Sequence, residues 1–182
     1  MGERAADYRP PPALLDACAA RSMRRLGARD PAARRCLADE DVRRHLRVQL
    51  ALTACFEATR ARADHAAWTP RDIDAYLRGL YENGGEAVAS ALVRHFYVAG
   101  GGNAREEKEE EPCSICGEAL AAAAGGGAAG RACGHRFHAK CTARWALASN
   151  AAAGARGWGQ APCPLCRAEW PRWPQAPCAA PQ

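Results

Sequence analysis

The chain has 182 residues, a formal net charge of +5 and 48% hydrophobic positions, enough for one domain or two small ones. Its basic residues are 23 arginines and only two lysines, Lys108 and Lys140, and acids punctuate the arginine runs, which argues against a nucleic-acid footprint. No run of eighteen apolar residues occurs, and Met1 to Ala6 hold neither an apolar signal core nor a myristoylation motif; the expectation is a chain of the cytoplasm or nucleus, without a membrane partner and with reduced thiols.

In chain order, residues 1–12 end in three prolines and read as a flexible lead-in. A helical region is expected over 13–99, as a bundle of about four helices. The first helix spans Ala13 to Arg29 with Leu15, Ala19, Met23 and Leu26 inward, and a link containing Pro31 follows. The second runs from Asp39 to Ala63. Asp39, Glu40 and Asp41 stand at its positive end, and Val42, Leu46, Leu50 and Phe56 form its apolar stripe. Thr69 caps a third helix whose first turn holds Pro70. Ile73, Tyr76, Leu77 and Leu80 face inward from it, and Asn83-Gly84-Gly85 ends it. A fourth runs from Glu86 to Val98 on Val88, Ala91, Leu92 and Phe96. His45, His65 and His95 read as surface or half-buried residues.

A linker over 100–112 carries Glu106, Glu107, Glu109, Glu110 and Glu111 around Lys108 and reads as a solvated spacer. Beyond it lie eight potential metal ligands in order: Cys113 and Cys116, Cys133 and His135, His138 and Cys141, Cys163 and Cys166. Thiolate sulfur and imidazole nitrogen are the donors that zinc takes in fours, tetrahedrally, and eight donors complete two closed sets with no position left for water. That points to two structural Zn2+ ions. Spacing alone leaves the pairing of ligands into sites open. The Ala/Gly stretch Ala119 to Gly130 and the stretch Asn150 to Gln160 read as loops between ligands. Trp158 has no assigned role, Trp170 reads as packing on the last C-x2-C turn, and 171–182 reads as a Pro-rich disordered tail.

The order Cys-Cys-Cys-His-His-Cys-Cys-Cys over 113–170 resembles the RING-H2 finger of RING-type E3 ubiquitin ligases, and the resemblance covers about a third of the chain. It implies a small cross-brace, ββα-like domain. Cys113, Cys116, His138 and Cys141 would hold one zinc, and Cys133, His135, Cys163 and Cys166 the other. It further implies that Ile115, Trp145 and Pro164 form an apolar groove for an E2 ubiquitin-conjugating enzyme. Arg167 would be the linchpin between that enzyme and its bound ubiquitin. The blander readings are core packing for Trp145 and a solvated charge for Arg167.

On this resemblance all six cysteines of the finger are committed to metal, so no covalent intermediate forms on the chain. The ligase would orient a charged E2 for attack by a lysine of a protein substrate, which the helical region would recruit. The alternative is a non-catalytic zinc-binding interaction scaffold, with nucleic-acid contact through the arginine-rich helices. If the chain is a ligase, its own acceptors are Lys108, Lys140 and the N-terminal amine. Weak self-modification centred on Lys108 is the expectation, because Lys140 sits between two ligands.

Overall fold

The structure is a computed structural model that describes residues 8–98, 112–120, 128–130, 133–153 and 161–168. It is mostly helical, with the zinc-ligand region at the C-terminal side. Residues 1–7, most of the acidic linker with Lys108, Trp158, Trp170 and the tail lie outside the described residues.

Helix α1 (Pro12–Arg29) opens with proline in its first turn, where a missing N–H costs nothing. Where the sequence suggested a link, a seven-residue helix α2 (Pro31–Leu37) forms. Asp30 accepts from the Ala32 and Ala33 amides and Pro31 presets the first turn, so a cap and a proline that read as a break are a start signal. Helix α3 (Glu40–Asp64) is capped by Asp39, which accepts from the Asp41 and Val42 amides. Helix α4 (Pro70–Asn83) begins with a full capping box between Thr69 and Asp72. Helix α5 (Gly85–Val93) runs into a π-helical turn at Arg94–Val98, where a single α-helix to Val98 was expected.

The core of this half is built from Leu26, Leu46, Leu50, Ile73, Leu77, Tyr81 and Leu92, all nearly or fully buried. Each contributes about 1.5–3 kcal/mol relative to exposure. The inward faces differ from expectation in several places. On α1, Leu14 and Cys18 are buried while Leu15 and Met23 are only partly so. On α3 the stripe continues past Leu50 through Ala54, Ala58 and Ala61, and Phe56 is 69% exposed. On α5, Ala89 and Val93 are buried and Ala91 is exposed. On α3 small residues take the buried positions, and hydrophobicity alone points to the larger Phe56. His45, expected near the surface, is fully buried. Its Nε2 lies 3.2 Å from the Gln49 side-chain amide and its Nδ1 2.5 Å from the Tyr97 hydroxyl, so both ring nitrogens have polar partners.

Gly84 and Gly85 do not end α4 through a left-handed turn: Gly84 has φ −120°. Gly85 is needed for space, since a Cβ there would lie 2.3 Å from Ser22 Oγ on α1.

In the C-terminal part, strands β1 (Ala128–Gly130) and β2 (Arg136–His138) pair antiparallel, with Ala129 opposite Phe137. The Ala/Gly stretch thus ends in a strand; its small residues suit a ladder edge as well as a loop. Helix α6 (Ala139–Ala153) follows β2 and reaches into the stretch read as a loop from Asn150. It packs along α3, and β1 packs against the π-helical turn, so the two halves share one buried cluster. Ala139, Ala143 and Ala146 are fully or almost fully buried, while Arg144 donates to Asp41 of α3. No described helix is long and apolar enough to cross a membrane.

Candidate metal centre

Two turns of the same construction frame the site. In the first, Gly117 N–H donates to Cys113 O at 2.7 Å and Cys113 N–H donates to Glu118 O at 2.7 Å. In the second, Arg167 N–H donates to Cys163 O and Cys163 N–H to Ala168 O, both at 2.9 Å. Each C-x2-C segment is therefore wound into a knuckle that points both sulfurs inward and backbone N–H groups at them. The residue after the second cysteine takes the left-handed conformation in both, Gly117 at φ 76° and Arg167 at φ 57°. Arg167 is the one non-glycine among the described residues with positive φ. Gly134, between Cys133 and His135, has φ 81° and lets two adjacent ligands turn toward one point.

The ligand atoms gather into two groups, Cys113, Cys116, His138 and Cys141, and Cys133, His135, Cys163 and Cys166. Within each group all atoms lie within 4.8 Å of one another. His138 Nδ1 is 3.4 Å from Cys116 Sγ and 4.0 Å from Cys141 Sγ; His135 Nδ1 is 3.5 Å from Cys163 Sγ. A zinc tetrahedron with ordinary Zn–S and Zn–N bonds has sulfur–nitrogen edges of about 3.6 Å. The donors are thus already at metal-binding separations. His138 is oriented from behind: its Nε2 lies 3.1 Å from the Ala119 carbonyl, which can only accept. Nε2 therefore bears the proton, and Nδ1 presents its lone pair to the group, the arrangement that fixes a ligating tautomer.

The electrostatics agree. At Cys113 burial pushes the thiol up, but amide hydrogen bonds associated with His138, Cys116 and Ile115 outweigh it and bring the pKa down to about 7. Cys166 is also brought to about 7, chiefly by the Ala168 backbone. Cys141 is pushed up to about 12 by burial and by the neighbouring Cys116 and Cys113, and burial likewise raises Cys163. Each group thus favours one thiolate and resists a second negative charge, a conflict that a divalent cation removes. The chain carries two Cys/His clusters able to bind two zinc ions.

The other expected residues lie around these clusters. Ile115 and Leu165 occupy the same third position of their knuckles and are 37% and 51% exposed. Leu165 was not singled out from sequence; the repeat of Cys-x-aliphatic-Cys was the available signal. Pro164 is half-buried and Arg167 exposed. Trp145, one turn after Cys141 on α6, is half-buried against the core and donates from Nε1 to Pro162 O at 2.7 Å. It is anchored to the second knuckle rather than free. Lys140 Nζ lies 3.9 Å from Glu118 beside the first cluster.

Many arginines of the helical half are engaged within the fold. Arg21 pairs with Glu82, Arg29 with Glu86 and Arg47 with Asp16. Arg25, Arg34 and Arg43 donate to carbonyls at the C-terminal ends of α4, α1 and α2 respectively, where the helix dipole favours a cation.

Residues 111–167 match the Ring finger domain family. This region is a zinc finger of the RING-H2 pattern, and it accounts for under a third of the chain. No curated protein and no solved structure matches the chain.

Proposed function

We propose that the chain is a RING-type E3 ubiquitin ligase whose two zincs sit in a cross-brace. Cys113, Cys116, His138 and Cys141 hold one ion, and Cys133, His135, Cys163 and Cys166 the other. Both are structural: they fold the knuckles and take no part in chemistry. Ile115, Pro164 and the exposed part of Trp145, extended by Leu165, form the apolar surface that docks a ubiquitin-charged E2. Arg167 reaches the bound ubiquitin and restrains it, so that a substrate lysine meets the thioester in a productive pose. The helical half recruits the substrate or a partner. The domains are then 13–99 for recruitment, 100–112 as linker and 113–170 as finger.

The observation that supports this best is the backbone of Arg167. A left-handed conformation costs a non-glycine residue about 1–2 kcal/mol, and the equivalent place in the first knuckle is glycine. An exposed arginine kept there at that cost, with no hydrogen bond or ion pair from its side chain to any described residue, fits a side chain that acts on something outside the chain. The nucleic-acid reading loses ground because so many arginines are engaged internally.

The experiment is discharge of ubiquitin from a charged E2 to free lysine, with the full chain in zinc. Acceleration that is lost in Trp145→Ala and Arg167→Ala supports the reading. No acceleration across a panel of E2 enzymes, by a chain shown to hold two zincs, rejects it in favour of a binding scaffold.

A further inference from the structure

The helical half presents a surface with fifteen arginines and no lysine between residues 8 and 98. Part of this has a structural reason. Arg34 reaches Gly27 O from Nε and Ala28 O from Nη2, a spread that suits a planar fork and not a point charge; Arg43 donates to Leu37 O and Ala38 O from one nitrogen. The reason does not extend to the others. Arg24, Arg35, Arg71 and Arg94 are exposed and make no hydrogen bond or ion pair to any described residue. At these places a lysine would supply the same charge, with similar helix propensity on α1, α2 and α4.

What distinguishes the two side chains there is nucleophilicity. A lysine amine has an ordinary pKa near 10.4, so a small neutral fraction is always present. That neutral amine attacks the carbonyl of a ubiquitin thioester: the nitrogen–carbon bond forms, the carbon–sulfur bond breaks, and the conjugating enzyme's cysteine leaves as thiolate and takes up the amine's proton. A guanidinium does not deprotonate in proteins, and its nitrogen electrons are delocalised, so it cannot enter this step. Position matters as well. α3 lies along α6 and the π-helical turn lies against β1, so the helical surface is carried with the finger that docks the charged conjugating enzyme on the reading above. Thiols offer no easier route: Cys18 and Cys36 are buried and Cys55 is half-buried, and burial raises the pKa of all three.

We propose that the helical half is a nucleophile-poor shield, an arginine surface that stays beside the charged conjugating enzyme without becoming its acceptor. This rests on the ligase reading above. It confines self-modification to Lys108, Lys140 and the N-terminal amine.

The test uses the full chain, zinc, ubiquitin and a conjugating enzyme, with a variant carrying Arg24→Lys, Arg35→Lys, Arg71→Lys and Arg94→Lys. Charge and fold are preserved, and circular dichroism checks the latter. Two readouts are taken together: discharge onto free lysine, and ubiquitin conjugated to the chain itself, mapped by mass spectrometry. The expected result is equal discharge by both proteins, with several-fold more self-conjugate in the variant, at the new lysines. Equal discharge with no gain in self-conjugate overturns the shield and leaves the ligase standing. So does wild-type chain conjugated mainly at hydroxyls or thiols within 8–98, where there is no lysine. Absence of discharge by both proteins removes the ligase reading and the shield with it.

Discussion

Replacing Arg167 by glycine separates the finger's fold from its proposed action. Arg167 sits at φ 57° and its N–H donates to Cys163 O at 2.9 Å. Glycine keeps that hydrogen bond and removes the left-handed penalty of about 1–2 kcal/mol. Greater freedom of glycine in the unfolded chain takes back about 0.4–1 kcal/mol. Arg167→Gly should therefore be between neutral and about 1.6 kcal/mol more stable. Because folding of the finger is linked to metal, that gain reads as up to about fifteenfold tighter zinc retention against a chelator. The mirror change, Gly117→Ala, tests the same reasoning with opposite sign. A Cβ at Gly117 meets nothing within 4 Å, so its cost is conformational alone, about 1–2 kcal/mol. Ubiquitin discharge should fall sharply in Arg167→Gly although the finger is at least as stable. A variant that loses more than about 1 kcal/mol would mean that the arginine side chain holds the knuckle together, and the strain argument would fail. A variant that is stable and fully active would sink the role at ubiquitin.

Other expected outcomes follow from single contacts. Zinc chelation, or His138→Ala, should unfold the finger and abolish the 15 residues of α6 while α1 to α5 stay helical by circular dichroism. Among the described residues of the finger the one large aromatic fully buried is Phe137, about 3 kcal/mol of burial at most against about 10–16 kcal/mol from a structural zinc; full retention of helicity, or loss of all of it at once, would contradict this. Gly85→Ala forces a Cβ to 2.3 Å from Ser22 Oγ and 3.1 Å from Tyr81 Cδ1. It should cost about 1–3 kcal/mol in thermal or urea unfolding, with partial recovery in Ser22→Gly/Gly85→Ala; a wild-type melting curve would show that α1 and α5 are not in close contact. Tyr8 donates to Asp74, and its pKa is raised to about 12 by desolvation and then by that carboxylate. A folded pKa above the ordinary 10.0 means that its contribution is fully present below pH 10 and is lost as pH rises through about 12. Stability of the wild type should therefore fall more than that of Tyr8→Phe between those limits, and parallel curves would refute the tie.

The part of the chain that was legible from sequence was the part written in capping chemistry and ligand spacing. Thr69, Pro70 and Asp72 state where α4 starts, because a capping box needs those side chains at that interval. The eight ligands state their chemistry for a similar reason: thiolates and imidazoles at knuckle spacing have few other uses. Packing was harder to read. Phe56 looks like core by hydrophobicity, yet Ala54 and Ala58 are the residues buried, and Gly85 matters for the atom it lacks. Small residues mark the closest helix contacts, and they carry almost no signal on a hydrophobic scale.

The same limit applies to the join between the two halves. A Glu-rich linker between a helical region and a finger reads as a flexible tether. The seam that unites them instead runs between α6, on which Ala139, Ala143 and Ala146 are buried, and α3, where Asp41 holds Arg144. An alanine face reads in sequence as indifferent to its surroundings. In the fold these alanines lie in the same buried cluster as Val42, Leu46 and Leu50 of α3. A finger cut away at the linker would leave that face in water, so its isolated behaviour would understate its stability in the full chain. The position of Trp145, on the same helix, is thereby set partly from the helical half. Substrate recruitment and conjugating-enzyme docking would then share one rigid element rather than a tether, with α6 as the common part.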